Sequence, residues 1–297
     1  MPQMRHSHDA RTGLNTMKTY LECFPCFVSQ AFRAARIATD DPEKIKQVID
    51  EVGMMLKDIP FDTSPPETGI LIYSKVREIT GNQDPYSHIK AETTKKALSL
   101  YPFLKDQVEQ ADDRLLMAIR IAVAGNVIDF GANVEFDLEK DINEILNKDF
   151  AVFHYKEFKK LLSNTNEVLY LADNAGETVF DRVLIETMGK PVTYAVRDVP
   201  VINDATRKDA MQAGIDKVAT IISSGTDGPG TILKRCNTEF RNLYNNARLV
   251  ISKGQGNYEA LSHENRPVFF LLKVKCNIVA TDIGVNTSDI VLKAAYI

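Results

Sequence analysis

Cysteine is scarce in this sequence, with four in 297 residues. So few thiols argue against a disulfide framework and make a cytoplasmic setting the expectation. Long apolar runs are also lacking. None reaches the ~18 residues that cross a bilayer, and the longest candidate, around 115–128, carries Arg120 in its middle. Residues 1–16, MPQMRHSHDARTGLNT, have neither an apolar core nor the shape of a signal peptide; they read as a flexible leader, with Met17 as the start of the folded part. Excess charge of one sign is missing as well. A net charge of −4 gives no reason to expect a nucleic-acid-binding surface. No internal repeat or low-complexity segment stands out. What remains is ordinary globular composition, 44% hydrophobic and 26% charged, long enough for one large domain or two smaller ones.

Two textures divide the chain. Residues 17–150 read as helical. In PEKIKQVIDEVGMMLKDI (42–59), Ile45, Val48, Ile49, Val52, Met55 and Leu56 recur at helical spacing. PYSHIKAETTKKALSLYPFLKDQVEQ and DDRLLMAIRIAVAGNVIDFG behave alike, and Pro65-Pro66 and Gly81-Asn82 punctuate the pattern. From 151 to 297 the pattern becomes α/β. Short β-rich runs at 167–172, 192–196, 218–224, 248–252 and 268–274 alternate with helical segments near 177–188, 205–213, 229–244 and 257–263. Gly189 and Gly214 close two of those helices. Such alternation predicts βαβ units and a mainly parallel, doubly wound sheet.

Ligands of open parallel sheets bind beyond the carboxyl ends of the strands, so the residues after each run are the candidates. The first run delivers Asp173, Asn174 and Glu177; the second Arg197, Asn203 and Asp204; the third Ser223, Ser224, Gly225, Thr226 and Asp227. The fourth gives SKGQGN, with Lys253, Gly254, Gln255 and Asn257, and the fifth Lys273 and Lys275. Asp173, Asn174 and Asp204 are oxygen donors of the kind that hard divalent cations prefer. Lys253, Lys273 and Arg197 are cations, and a cation-plus-lysine site suits a phosphate. The glycines of KGQGN let backbone amides approach an anion. Each residue also has a plain structural reading: Asp204 suits a helix N-cap and Asp173-Asn174 suits a turn. Their conjunction with the lysines is what favours a site. Asn126 and Asp129, three apart in AVAGNVIDFG, are either an internal hydrogen-bonded pair or part of a lid over the substrate.

Three motifs are missing. There is no phosphate-binding G-x-x-x-x-G-K-[ST] loop, no G-x-G-x-x-G after the first strand, and no Asp-x-Asp-x-[Thr/Val] of aspartyl-phosphate phosphatases. The last absence favours direct attack by water over a covalent Asp173 intermediate.

The motifs LADNAGE, RDVPVINDAT and SKGQGNYEAL, in this order, resemble the metal-dependent damage-control phosphatases. LECFPCF and AVAGNVIDFGA are similar to the subfamily with an N-terminal Cys-x-x-Cys. The resemblance covers about residues 17–295. It implies a three-layer α/β/α sandwich with a helical N-terminal region. It also implies hydrolysis of phosphate monoesters of small metabolites, such as sugar phosphates or nucleotide-related compounds, with Mn²⁺, Co²⁺, Ni²⁺ or Mg²⁺. Carried over by motif, Asp173, Asn174 and Asp204 would hold the metal and Glu177 would face the substrate. The KGQGN loop and Lys273 would grip the phosphate and its attached group.

The competing readings are an S-adenosylmethionine- or nucleotide-binding transferase on the same kind of sheet and a non-catalytic metabolite-binding protein. Asp-Asn in place of glycines at the first strand end counts against the transferase, and the lysines count against the binding protein. Cys23 and Cys26 form one C-x-x-C at the head of an expected helix. A packing or subfamily-marker role competes there with a metal or redox role. His6 and His8 fall in the leader, and His88, His154 and His263 read as surface or packing residues. Oligomeric state is not legible.

Overall fold

In the helical first part the caps decide where elements start. The computed structural model describes residues 17–127, 142 and 144–296, so the expected leader and Asp129 lie outside the described residues. Helix α1 (Cys23–Ala38) is followed by α2 (Pro42–Met55), where the Asp41 side chain accepts from the amides of Glu43 and Lys44. Helix α3 (Pro65–Thr80) opens on a capping box made by Ser64 and Glu67, with Pro65 at a first-turn position where its missing N–H costs nothing. These three helices bury Phe27, Ala31, Val48, Val52, Ile72 and Val76 around a cluster that also takes in Val201. The longer α4 (Ser87–Gln110) and α5 (Arg114–Val127) instead pack on the sheet.

The strands are β1 (Phe150–Phe153), β2 (Val168–Leu171), β3 (Val192–Val196), β4 (Thr220–Ser223), β5 (Val250–Lys253), β6 (Val268–Lys273) and β7 (Ile290–Ala295), in the order β1-β7-β6-β5-β2-β3-β4. Pairings from β6 through β5, β2 and β3 to β4 are parallel; β7 runs antiparallel to β6, and β1 parallel to β7. The intervening helices are α6 (Tyr155–Ser163), α7 (Thr178–Met188), α8 (Arg207–Gln212), α9 (Thr238–Asn246), α10 (Gln255–Leu261) and α11 (Asn277–Ile283).

Alternation along each strand sorts side chains to two cores. Tyr170, Tyr194, Ile251, Phe269 and Leu271 face the α4, α5, α6, α7 and α8 side. Leu169, Leu171, Val250, Phe270 and Leu272 face Phe240, Tyr258, Leu261 and Val279 of α9, α10 and α11. The result is the expected three-layer α/β/α sandwich with a mainly parallel sheet. The chain winds β2→β3→β4 in one direction and β5→β6 in the other, so the winding switches between β2 and β5, the place where open parallel sheets bind ligands at their carboxyl edge.

Two departures from the sequence reading stand out. β1 and β7 were not anticipated, and of the segment 229–244 only the part from Thr238 on is α-helical. No helix among the described residues is long and apolar enough to cross a membrane.

Candidate active site at the switch point

The end of β2 is pinned to the loop after β3. Ala205 N donates to Asp173 O (2.7 Å) and Ala175 N to Asn203 O (2.8 Å), so Asn174 and Asp204 form an isolated antiparallel bridge. A 3-10 turn at Ala175–Glu177 then leads straight into α7. The loops that follow the paired strands β2 and β3 are thereby fastened to each other, which brings Asp173, Asn174 and Asp204 to one spot.

The third wall is Gly254, just after β5, with φ +78°. A Cβ built there would stand 1.9 Å from Asp173 Oδ2. Only glycine admits the carboxylate this close to the backbone while holding that φ.

Asp173, Glu177 and Asp204 are all buried. The Asn126 amide, on α5, donates to Asp173 Oδ2 (3.1 Å) and Glu177 Oε1 (2.7 Å). The Asn174 amide donates to the same two oxygens, at 3.0 and 2.6 Å. An ionised carboxylate only accepts hydrogen bonds, so both carboxylates fix which end of Asn174 faces them. Its Oδ1 is left on the other side. Arg197 Nε donates to Asp204 Oδ2 (2.6 Å). Among the described residues, no donor lies within hydrogen-bond distance of Asp173 Oδ1, Asn174 Oδ1 or Asp204 Oδ1.

The charges underneath are unequal. Asp173, Glu177, Asp181 and Asp204 are four buried carboxylates, whereas Lys253 and Arg197 are the buried cations among them. Burial, then repulsion from Glu177 and Asp204, holds the Asp173 carboxyl well above the usual range. Burial would raise Glu177 too, but Lys253, Lys275 and the two amides overcome it and keep Glu177 below its ordinary value. An added cation fits this donor set: three oxygens to which no described residue donates, in a cluster where the described carboxylates outnumber the buried cations. Among the described residues no group of three or more His, Cys, Asp or Glu side chains is placed to hold an ion; the candidate cradle instead combines two carboxylates with an amide oxygen.

Several expected phosphate contacts are placed differently. Lys253 is fully buried beneath Glu177, donating to Glu177 Oε2 (2.9 Å) and Asp181 Oδ1 (2.7 Å). Its position on β5 puts it on the α7 side of the sheet with Ile251, not across the cleft. Arg197 is also buried, and its two Nη groups donate to Thr231 Oγ1 and Asn257 Oδ1, both at 3.2 Å. Asn257 ties Ala172 O to Lys253 O, at 2.9 and 2.7 Å. Gln255 accepts from Lys275 N (2.8 Å) and donates to Glu259 Oε1 (2.9 Å). Lys273 lines a neighbouring cavity of about 490 Å³ with Lys148, Ser288 and Ile290, and its backbone N–H donates to Asn126 Oδ1 (3.1 Å). It shares strand parity with Phe269 and Leu271, which turns it toward α5. The exposed lysine whose charge acts on Asp173, Glu177 and Asp204 is Lys275, beyond the strand end.

Sequence reasoning passed over Asp181, which is wholly buried and bonded by Lys253, Tyr170 and Tyr194. The signal was present, as a carboxylate in the middle of the apolar helix VFDRVLIE. All four cysteines are free thiols. Burial lifts the pKa of Cys23 and takes Cys236 to about 12. His88 stands beside Glu92, His154 Nδ1 accepts from Ala294 N, and His263 pairs with Asp282.

Residues 19–291 match the family model described as the damage-control phosphatase ARMT1-like domain. A damage-control phosphatase of Pyrococcus horikoshii is 33% identical over 282 residues, covering 93% of this chain and 97% of that protein. One from Archaeoglobus fulgidus is 33% identical over 288 residues, covering 93% and 99%. An uncharacterized protein of Methanocaldococcus jannaschii is 35% identical over 290 residues, covering 93% and 95%. The crystal structure of a DUF89 family protein from P. horikoshii superposes with a TM-score of 0.88 at 32% identity, covering 94% of this chain and 99% of that one. With the family model spanning nearly the whole fold, cradle and switch point included, the chain belongs to the damage-control phosphatase ARMT1-like family.

Proposed function

We propose that this protein is a divalent-metal-dependent phosphatase that hydrolyses phosphate monoesters of small metabolites, in the branch marked by an N-terminal Cys-x-x-Cys. The observation that carries the reading is the set of three oxygens to which no described residue donates, Asp173 Oδ1, Asn174 Oδ1 and Asp204 Oδ1, beside buried carboxylates that outnumber the buried cations among the described residues. Mn²⁺, Co²⁺, Ni²⁺ or Mg²⁺ suits such hard donors. A cation bound there supplies Lewis-acid neutralisation of the phosphoryl oxygens.

The protein's own groups do the rest. Lys275, at the rim, meets the incoming phosphate and offsets its charge. Glu177, kept ionised by Lys253 below and by two amides, faces the substrate side and orients a water or a substrate hydroxyl. Asp173 spends its carboxylate on the amides and the cradle, which favours water as the nucleophile. Arg197, Asn257 and Gln255 hold the loops in place, and the Gly254 backbone lets Asp173 approach. Family membership favours the hydrolase over the transferase, and the glycine-poor end of β2 agrees.

The test is phosphate release from a panel of sugar phosphates and nucleotides with each of the four cations, with chelator as the control. Activity should require the cation. Asp173→Ala should abolish it without loss of fold, as read by circular dichroism. Full activity of Asp173→Ala with added Mn²⁺ would refute the cradle.

A further inference from the structure

The geometry points to Asp181 as a positioning residue: from below the sheet edge it fixes Lys253, through Lys253 it fixes Glu177, and through Glu177 it sets which end of Asn174 faces the cation. This deepens the proposed function and rests on the Asp173–Asn174–Asp204 cradle.

The chain of contacts is continuous. In the parallel β2–β3 pairing Tyr170 lies opposite Tyr194, so the two rings stack with centroids 5.3 Å apart and present their hydroxyls together. Both hydroxyls donate to Asp181, Tyr170 to Oδ1 and Tyr194 to Oδ2, each at 2.7 Å. Lys253 Nζ donates to Asp181 Oδ1 (2.7 Å) and to Glu177 Oε2 (2.9 Å). The other Glu177 oxygen accepts from the amides of Asn174 (2.6 Å) and Asn126 (2.7 Å). Asp181 itself is 0 % exposed.

A buried ion pair is a poor source of net stability, because desolvating both charges offsets most of their attraction. Orientation is what this pair supplies. With the two tyrosines and Asp181 in place, Lys253 has one arrangement, and so has Glu177. Without Asp181, a buried ammonium faces Glu177 alone and draws it down. The Asn174 amide then loses the shorter of the two bonds that keep its oxygen turned to the cradle. Groups that hold metal ligands through such outer contacts commonly govern affinity or activity by 10–100-fold.

The experiment measures Mn²⁺ affinity by calorimetry without substrate, then kcat and KM on one phosphate ester. Asp181→Asn should weaken Mn²⁺ binding about tenfold and lower kcat about 10–100-fold, with KM changed less than about threefold because no substrate contact is removed. Combined with Glu177→Gln it should be little worse than Glu177→Gln alone, since both lie on one path. If Asp181→Asn does not fold, Tyr170→Phe and Tyr194→Phe carry the test. Each removes one hydroxyl and keeps the ring, and each should lower Mn²⁺ affinity and kcat in the same direction. A variant that is less heat-stable but binds Mn²⁺ and turns over like the parent per folded molecule overturns the proposal, as does simple additivity with Glu177→Gln. Asp173→Ala separates the two readings. If it still binds Mn²⁺ normally, the cradle itself has failed and the proposal with it. If it loses Mn²⁺ while Asp181→Asn binds normally, only the role of Asp181 is overturned.

Discussion

At the scale of single residues, Gly254 and Glu259 show how closely the β5–α10 turn is specified. Placing a methyl at Gly254 drives it into the Asp173 carboxylate at a φ that L-residues rarely adopt. Gly254→Ala should therefore cost most of the phosphatase activity through displacement of Asp173. The check is kcat alongside Mn²⁺ affinity, and normal values for both would remove the close approach from the account. Glu259, one turn along α10, is pushed up to about 7 by burial, with the Gln255 amide opposing. An unfolded glutamate titrates near ~4.3, so the folded chain holds this proton more tightly. Stability should then fall as pH rises from about 4.5 to 7 and level off above. Solvent still reaches part of this residue and screens the effect, so the loss should be about 1 kcal/mol. Urea unfolding of the parent and Glu259→Gln at pH 5 and pH 8 checks this, since the variant should lack that share of the slope.

At the scale of elements, α5 and α7 pack closely along their length, and Gly125 meets Phe180 in that seam. A Cβ on Gly125 would lie 2.9 Å from Cγ and 3.0 Å from Cβ of Phe180. The next residue along is Asn126, whose amide holds Asp173 and Glu177. Gly125→Ala should prise the helices apart, at a cost of about 1–3 kcal/mol, and should lower activity by moving Asn126. Thermal unfolding and kcat should change together. Legibility also varied by element. The strands at 192–196 and 268–273 could be read because they are β-branched or aromatic runs followed by polar residues. β1, FAVF, is a four-residue edge strand with alternate residues exposed, too short for a periodicity to register. β7, IVLKAA, contains good helix formers and becomes a strand through its six-residue antiparallel register with β6. The cradle was legible from the strand-end rule. Lys253 and Lys273 were legible as cations but not as to direction, which depends on strand parity relative to α5 and α7. For Asp181 the sequence carries one sign, a carboxylate inside an apolar helix, but nothing local to say that two tyrosines and a lysine converge on it.

At the scale of the whole molecule, the switch in winding between β2 and β5 gathers loops from both halves of the sheet around one cluster in which four buried carboxylates share two buried cations among the described residues. A ligand bound only by the folded form stabilises it in proportion to RT ln(1 + [L]/Kd), about 2.7 kcal/mol at a hundredfold excess over Kd. Mn²⁺ at that level should raise Tm by several degrees, and chelator should reverse the gain. A Tm indifferent to both would mean that the cluster does not take up the ion.

The bridge between Asn174 and Asp204 has a dynamic consequence. Ala175 N–H and Ala205 N–H are each other's fastening, one bonded to the loop after β3 and the other to the end of β2. The two bonds flank a single bridge, so the expectation is that they open together. In deuterium the two amide protons should wash out at a common rate, and filling the cradle should slow both by the same factor.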